Sequence, residues 1–277
     1  MSTSLVQTEA LAPVATTRKP LVRIAAAMGL LTLAIFAITG PLLLPDPAAQ
    51  DLSRYLEPPT LAEPLGRDDY GRSVLSRLAH ATRLSLLLAA ACVATALVLG
   101  TAAGIAAAWA GGWVDAVLRA ISEAFVAVPA LLVVLLVSAL ASGGLWALYL
   151  GLALAQWVEY FRVVRARSAL VLGSPAVEAA GLLRLGGAHV VRRHLWPDLR
   201  PLLTTLASLG MVTSILAMST LGFVKVGLQP PRAELGLMIT ESFPYYDVAP
   251  WMSLAPVGVL FLLTVCFLGL RSTKETR

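Results

Sequence analysis

Six apolar stretches, at residues 24–44, 84–109, 124–141, 145–163, 202–221 and 251–270, set the terms on which this chain can fold. Each is long enough, or nearly so, to cross about 30 Å of hydrocarbon as a helix. Lipid offers no partner to a free backbone N–H or C=O, so such stretches must be helical. The composition agrees. The chain is 58% hydrophobic and only 13% charged, where a soluble domain carries about 25% charged residues. The expected fold class is an all-α membrane protein with six transmembrane helices.

The net charge of +5 does not point to nucleic acid, because the basic residues cluster at the ends of apolar stretches and form no stripe on one face. Their distribution instead sets an orientation. With a cytoplasmic N-terminus, fourteen of the 21 Lys and Arg residues fall on the inner side, and the outer loops hold seven with nine carboxylates. The positive-inside rule then places both termini in the cytoplasm. Residues 1–20 are expected to form a disordered cytoplasmic tail, and 21–277 a transmembrane domain with its core at about 80–270. The first apolar stretch is too long for a typical signal-peptide core and is read as a retained helix. Cys92 and Cys266 lie inside apolar stretches, where they serve as small buried hydrophobes.

The segment 174–197, SPAVEAAGLLRLGGAHVVRRHLWP, is charged and punctuated between two apolar runs. Lipid tolerates few charges, so it must be a surface loop. Ser174-Pro175 is a helix start, a capping residue followed by proline at the first helical position. Glu178 then sits at the positive end of the helix dipole, and Gly186-Gly187 can break the helix. A loop with two helical pieces is built to touch something.

Other signals are weaker. The run Gly66-Arg67-Asp68-Asp69-Tyr70-Gly71-Arg72-Ser73 nearly spells a phosphate-binding loop. No strand precedes it, and two carboxylates stand where a polyphosphate would lie, so a turn leading into an amphipathic helix is the better reading. Gly100-x-x-x-Gly104 offers a small-residue face for close helix packing, within the subunit or against a partner. Gln156, Trp157, Glu159 and Tyr160 crowd the end of the fourth stretch as a possible pathway or gate. The plainer alternative is an interfacial Glu159 neutralised by Arg162 or Arg165. His189 and His194 are five apart and should not share a helical face, and no third ligand completes a metal site. No catalytic arrangement of serine, histidine and acid assembles on one side of the membrane.

Taken together these motifs resemble the inner-membrane permease subunits of binding-protein-dependent ABC importers, in particular the second permease of the dipeptide, oligopeptide and nickel group. The likeness runs from about residue 65 to 251. It rests on Leu65-Gly66-x-Asp68-x-x-Gly71-Arg72, on Arg83-x-Ser85-Leu86, and on Gly111-Gly112-Trp113-Val114-Asp115 with Arg119 and Pro129. Further on it rests on Trp157-x-x-Tyr160-x-Arg162-x-x-Arg165, Glu178-Ala179-Ala180 with His194 and Pro197, and Leu221-Gly222-Phe223 before Gln229-Pro230-Pro231.

The resemblance implies the type I importer permease fold and a non-catalytic subunit forming half of a pore, the other half being a sister permease in a heterodimer. It implies one or two separate ATPase subunits, which would hold the ATP and magnesium, and an extracytoplasmic solute-binding protein delivering cargo to loops 45–83 and 229–250. This chain itself would carry no cofactor. In the family the loop after the fourth span is a coupling helix that docks on the ATPase. Carried over, the docking set is Glu178, Ala179, Ala180, Gly181, Arg184, Leu185, Gly186, His194 and Pro197. The family has glycine where this chain has Arg184, so the helix is expected to run half a turn further and to break at Gly186. Cargo stays open between a peptide and chelated nickel or another metallophore. A polytopic membrane enzyme or a scaffold is the alternative from another class. The implied location is the bacterial inner membrane.

Overall fold

A computed structural model describes residues 20–141, 144–224 and 228–270. Several expectations fall outside these residues: the tail before residue 20, part of the loop after the fifth stretch, and the basic C-terminal residues. Among the described residues the chain is helical, with no strand beyond one isolated bridge between Arg67 and Ser73. Four helices are long and apolar enough to cross a membrane, or five if one bent pair counts as a single span.

The first stretch forms α1, Pro20–Leu43, whose Leu31, Ile35, Ile38 and Leu42 are exposed. The second is longer than its apolar core suggests. Helix α2 runs without interruption over Val74–Ala110, so the expected separate amphipathic helix is simply its first turns. Ser73 caps it, its hydroxyl accepting from Ser76 N–H.

The third stretch departs most from expectation. It is not one helix but two, α3 at Gly112–Val126 and α4 at Ala130–Leu140, bent by 87°. Pro129 is the cause, since it lacks an N–H and its ring disfavours helical backbone in the residue before it. Helix α5, Gly144–Leu172, continues nine residues past the expected end at Val163.

Then follow α6 (Pro175–Leu182), the short α7 (Gly187–Val190), a π-helical turn at Val191–Leu195 and α8 (Trp196–Phe223). The last three form one uninterrupted helix, Gly187–Phe223. Pro197 and Pro201 remove two helical donors here. The turn widens ahead of Pro197, and Trp196 N–H reaches back five residues to the carbonyl of Val191. Helices α9 (Leu235–Ser242) and α10 (Pro250–Gly269) complete the chain.

Helix α2 is the spine, and α5 lies along it. A Cβ at Gly100 would come within 2.5 Å of the Tyr160 Cβ, and one at Gly104 within 2.9 Å of the Arg165 nitrogen. The small-residue face therefore serves packing inside the subunit. Thr95 and Tyr149 hydroxyls meet at 2.6 Å along the same seam. Buried Val74, Leu88, Cys92, Leu152, Ile215, Leu235 and Leu263 gather α2, α5, α8, α9 and α10 into one apolar core.

Candidate functional site

The 174–197 segment is held at both ends and free in its middle. Arg167 of α5 makes a two-pronged ion pair with Asp198 of α8, at 2.5 and 2.7 Å. Beneath it Val164, Leu195, Leu199 and Leu203 form a buried cluster. Between these anchors every residue from Gly181 to His189 is exposed. Leu182 and Leu183 are 83% and 73% exposed. Sequence reasoning singled out Leu185 and missed these two, which their place directly after the glutamate turn could have revealed.

Helix α6 starts at Pro175 as expected, although the Ser174 side chain makes no capping bond. Glu178 lies in the first turn and is exposed, as are Ala179 and Gly181. Ala180 is not available to a partner, being 4% exposed with its side of α6 turned inward.

Arg184 overturns the expectation of a longer helix. It lies outside α6 with φ +52°, in the left-handed region. Leu185 N–H donates to the Ala180 carbonyl at 3.0 Å and Arg184 N–H to Gly181 at 2.9 Å. This pair of bonds is the Schellman closure, whose left-handed residue is usually glycine. The helix stops where a glycine would stop it, because chain closure outweighs the preference of one side chain. The cost of holding a Cβ-bearing residue there is about 1–2 kcal/mol.

Gly186 caps the start of α7, and Gly187 packs at Trp109, where a Cβ would lie 3.1 Å from the indole. His194 and Pro197, with Arg167, Leu170, Arg193 and the α6 N-cap Ser174, line a cleft of about 480 Å³. The π-helical turn also changes one reading: it brings the His189 and His194 rings to 6.1 Å between centroids, which an α-helix would not do at that spacing. No group of three metal-ligating side chains forms among the described residues.

The second candidate set divides into two faces of α5. Because α5 extends to Leu172, these residues lie near its middle and not at its end. Gln156 Nε2 donates to Ser214 Oγ at 2.5 Å and to the Gly210 carbonyl at 3.3 Å, and buried Tyr160 donates to the Leu206 carbonyl at 3.1 Å. Both are ties to α8. Trp157 meets Phe125 edge-on at 5.8 Å. Glu159 points the other way, into a cleft of about 270 Å³ under the α3–α4 bend, lined by Phe125, Val128, Pro129, Val133 and Ala155. The expected neutralisation by Arg162 or Arg165 is not seen among the described residues. Arg165 instead grips Asp115 of α3 through both its Nε and its Nη2, the latter at 2.6 Å, and Glu159 has no ion pair among the described residues.

The resembling phosphate loop encloses an internal anion. Asp68, 1% exposed, accepts from Tyr70 and Arg72 N–H at 2.9 Å, from Arg72 Nε at 2.7 Å and from Arg77 at 2.6 Å. The chain supplies its own carboxylate where a phosphate would sit. Burial, and the nearby charge of Asp68, push the neighbouring Asp69 carboxyl above its ordinary range.

Sequence reasoning also missed Glu234. It caps α9, accepting from Leu237 N–H at 2.8 Å, and sits against Gly222, where any Cβ would collide with its Oε2. Burial raises its pKa.

Comparison with known proteins gives a consistent result. Residues 100–273 match the family described as the binding-protein-dependent transport system inner membrane component. The chain is 30% identical to the dipeptide transport system permease protein of Haemophilus influenzae over 86% of its own length and 83% of that protein's. It is 29% identical to the di/tripeptide transport system permease protein of Pseudomonas aeruginosa, over 87% and 82%. It is 28% identical to the probable D,D-dipeptide transport system permease protein of Escherichia coli, over 80% and 74%. Most of the described helices lie within the matched region, and the chain belongs to the family of binding-protein-dependent transport system inner membrane components, as a non-catalytic, multi-pass permease of the bacterial inner membrane.

Proposed function

We propose that this chain is one half of the transmembrane pathway of an ATP-driven peptide importer. It would cross the membrane six times, with the bent α3–α4 pair as one span, α5 as another and both termini in the cytoplasm. The excess of Lys and Arg on the proposed inner side supports that orientation. A separate ATPase docks on the loop between α5 and α8, and a sister permease forms the other wall.

The observation that carries this reading is the exposed run 181–189 slung between two fixed helix ends. A surface of Glu178, Leu182, Leu183 and Leu185 exposes apolar side chains beside a charge, the composition of a protein contact with a few dominant residues. Peptide cargo is supported by the printed names of the relatives, which specify dipeptides and di/tripeptides. The lack of a metal-ligating group among the described residues gives no support to nickel as a bare ion.

The test is reconstitution with the partner subunits in vesicles. ATP-dependent accumulation of a dipeptide, abolished by Leu182→Asp with Leu183→Asp, is expected. Accumulation that survives the double substitution refutes docking on this loop.

A further inference from the structure

We propose that Glu159 receives the α-ammonium group of a peptide in transit, in the cleft where α3 breaks into α4. This rests on the importer reading above.

Glu159 lies near the midpoint of α5, far from either end of a 29-residue helix. Its place is at the end of the apolar part of α5, one turn before Arg162, and an ionisable group bordering a membrane span marks a candidate functional site. Asp115 pairs with Arg165 and Asp198 with Arg167, while exposed Arg162, one turn on, has no ion pair among the described residues and does not line the cleft. Glu159 is exposed into the cleft and has no ion pair among the described residues.

The surroundings select the ligand. Phe125, Val126, Val128, Pro129, Ala130 and Val133 line the cleft and supply no competing cation. An apolar wall weakens screening and so strengthens attraction for a positive group. The C-terminal end of α3 also points into the bend, and helix C-termini carry partial negative charge. Broken membrane helices use such ends to hold cations. A divalent metal needs several hard ligands, and no group of three His, Cys, Asp or Glu occurs among the described residues. A lone carboxylate suits a singly charged ammonium. At about 270 Å³ the cleft is slightly smaller than a typical ligand pocket, so it holds the amino end of a peptide and not the whole of it.

The experiment uses the complete transporter in vesicles with its binding protein, measuring uptake of labelled dialanine by the wild type, Glu159→Gln, Glu159→Asp and Glu123→Gln. Glu123 is an exposed carboxylate of α3 that does not line the cleft. The expected result is a loss of uptake of about tenfold or more in Glu159→Gln, the fold-change of a lost charge-assisted hydrogen bond. Glu159→Asp should recover part of it, Glu123→Gln should match the wild type, and all four should purify with the same subunits. Wild-type uptake by Glu159→Gln overturns the inference. So does loss of the sister permease from that variant, which would make Glu159 an intersubunit contact. Absence of dialanine uptake by the wild type overturns the peptide reading itself.

Discussion

Arg77, in the first turns of α2, donates to Glu241 near the end of α9 at 2.5 Å, across 164 residues of sequence. The same guanidinium donates to Asp68 at 2.6 Å. One buried cation therefore ties together the loop before α2, the start of α2 and the helix before α10. Arg77→Ala would leave Asp68 buried beside fewer positive charges. Breaking such a pair costs about 3–5 kcal/mol. A large fall in thermal midpoint, measured in detergent by tryptophan fluorescence, is expected. Glu241→Gln should cost less, because Glu241 is the more exposed partner.

Arg184→Gly should stabilise the 174–197 loop by about 1 kcal/mol, since glycine enters the left-handed region freely. Hydrogen exchange at Leu185 N–H, which closes the helix end, should slow. Faster exchange would show that the arginine side chain contributes more than its backbone strain costs.

Glu178→Lys should leave the protein in the membrane while abolishing substrate-stimulated ATP hydrolysis by the assembled complex. The substitution puts a cation at the positive end of α6 and reverses the charge of the proposed docking surface. Hydrolysis stimulated to the wild-type level would remove Glu178 from that surface.

Gly100→Val should separate α2 from α5, because even a Cβ would stand 2.5 Å from Tyr160. Overpacking of this kind costs about 1–3 kcal/mol. Reduced yield of folded protein on size-exclusion chromatography is the readout, with Gly258→Ala, where nothing lies near, as the neutral control.

Burial raises the Glu234 carboxyl pKa above its ordinary value of 4.5. A group shifted upward on folding stabilises the protein fully below its unfolded value, and that stability is lost as pH rises through the folded value. The thermal midpoint should therefore fall as pH rises from 4.5 toward neutrality, and less so in Glu234→Gln. Identical pH profiles for the two proteins would contradict a buried, titrating Glu234.

The apolar stretches and the loop at 174–197 were legible in the sequence because hydropathy and charge are local quantities. Pro129 was visible too, but its 87° consequence was not, since a proline can bend a helix or end it. Arg184 shows a different limit. Its helix preference pointed one way, while the closing bonds from Arg184 and Leu185 back to Gly181 and Ala180 decided the other. The Arg77–Glu241 pair could not be read at all, because nothing local links residues so far apart. Glu159 was visible as a carboxylate at the edge of an apolar run, but its place near the middle of a helix was not, because α5 outruns that run by nine residues.

The helix Gly187–Phe223 runs unbroken from the exposed loop to the contact with Glu234. At 1.5 Å per residue its 37 residues span about 55 Å. It is a single rod, with the π-helical turn and Pro201 as interruptions near its first end. If the proposed docking on α6 holds, a push there would arrive at α9 as a change of tilt of this one rod.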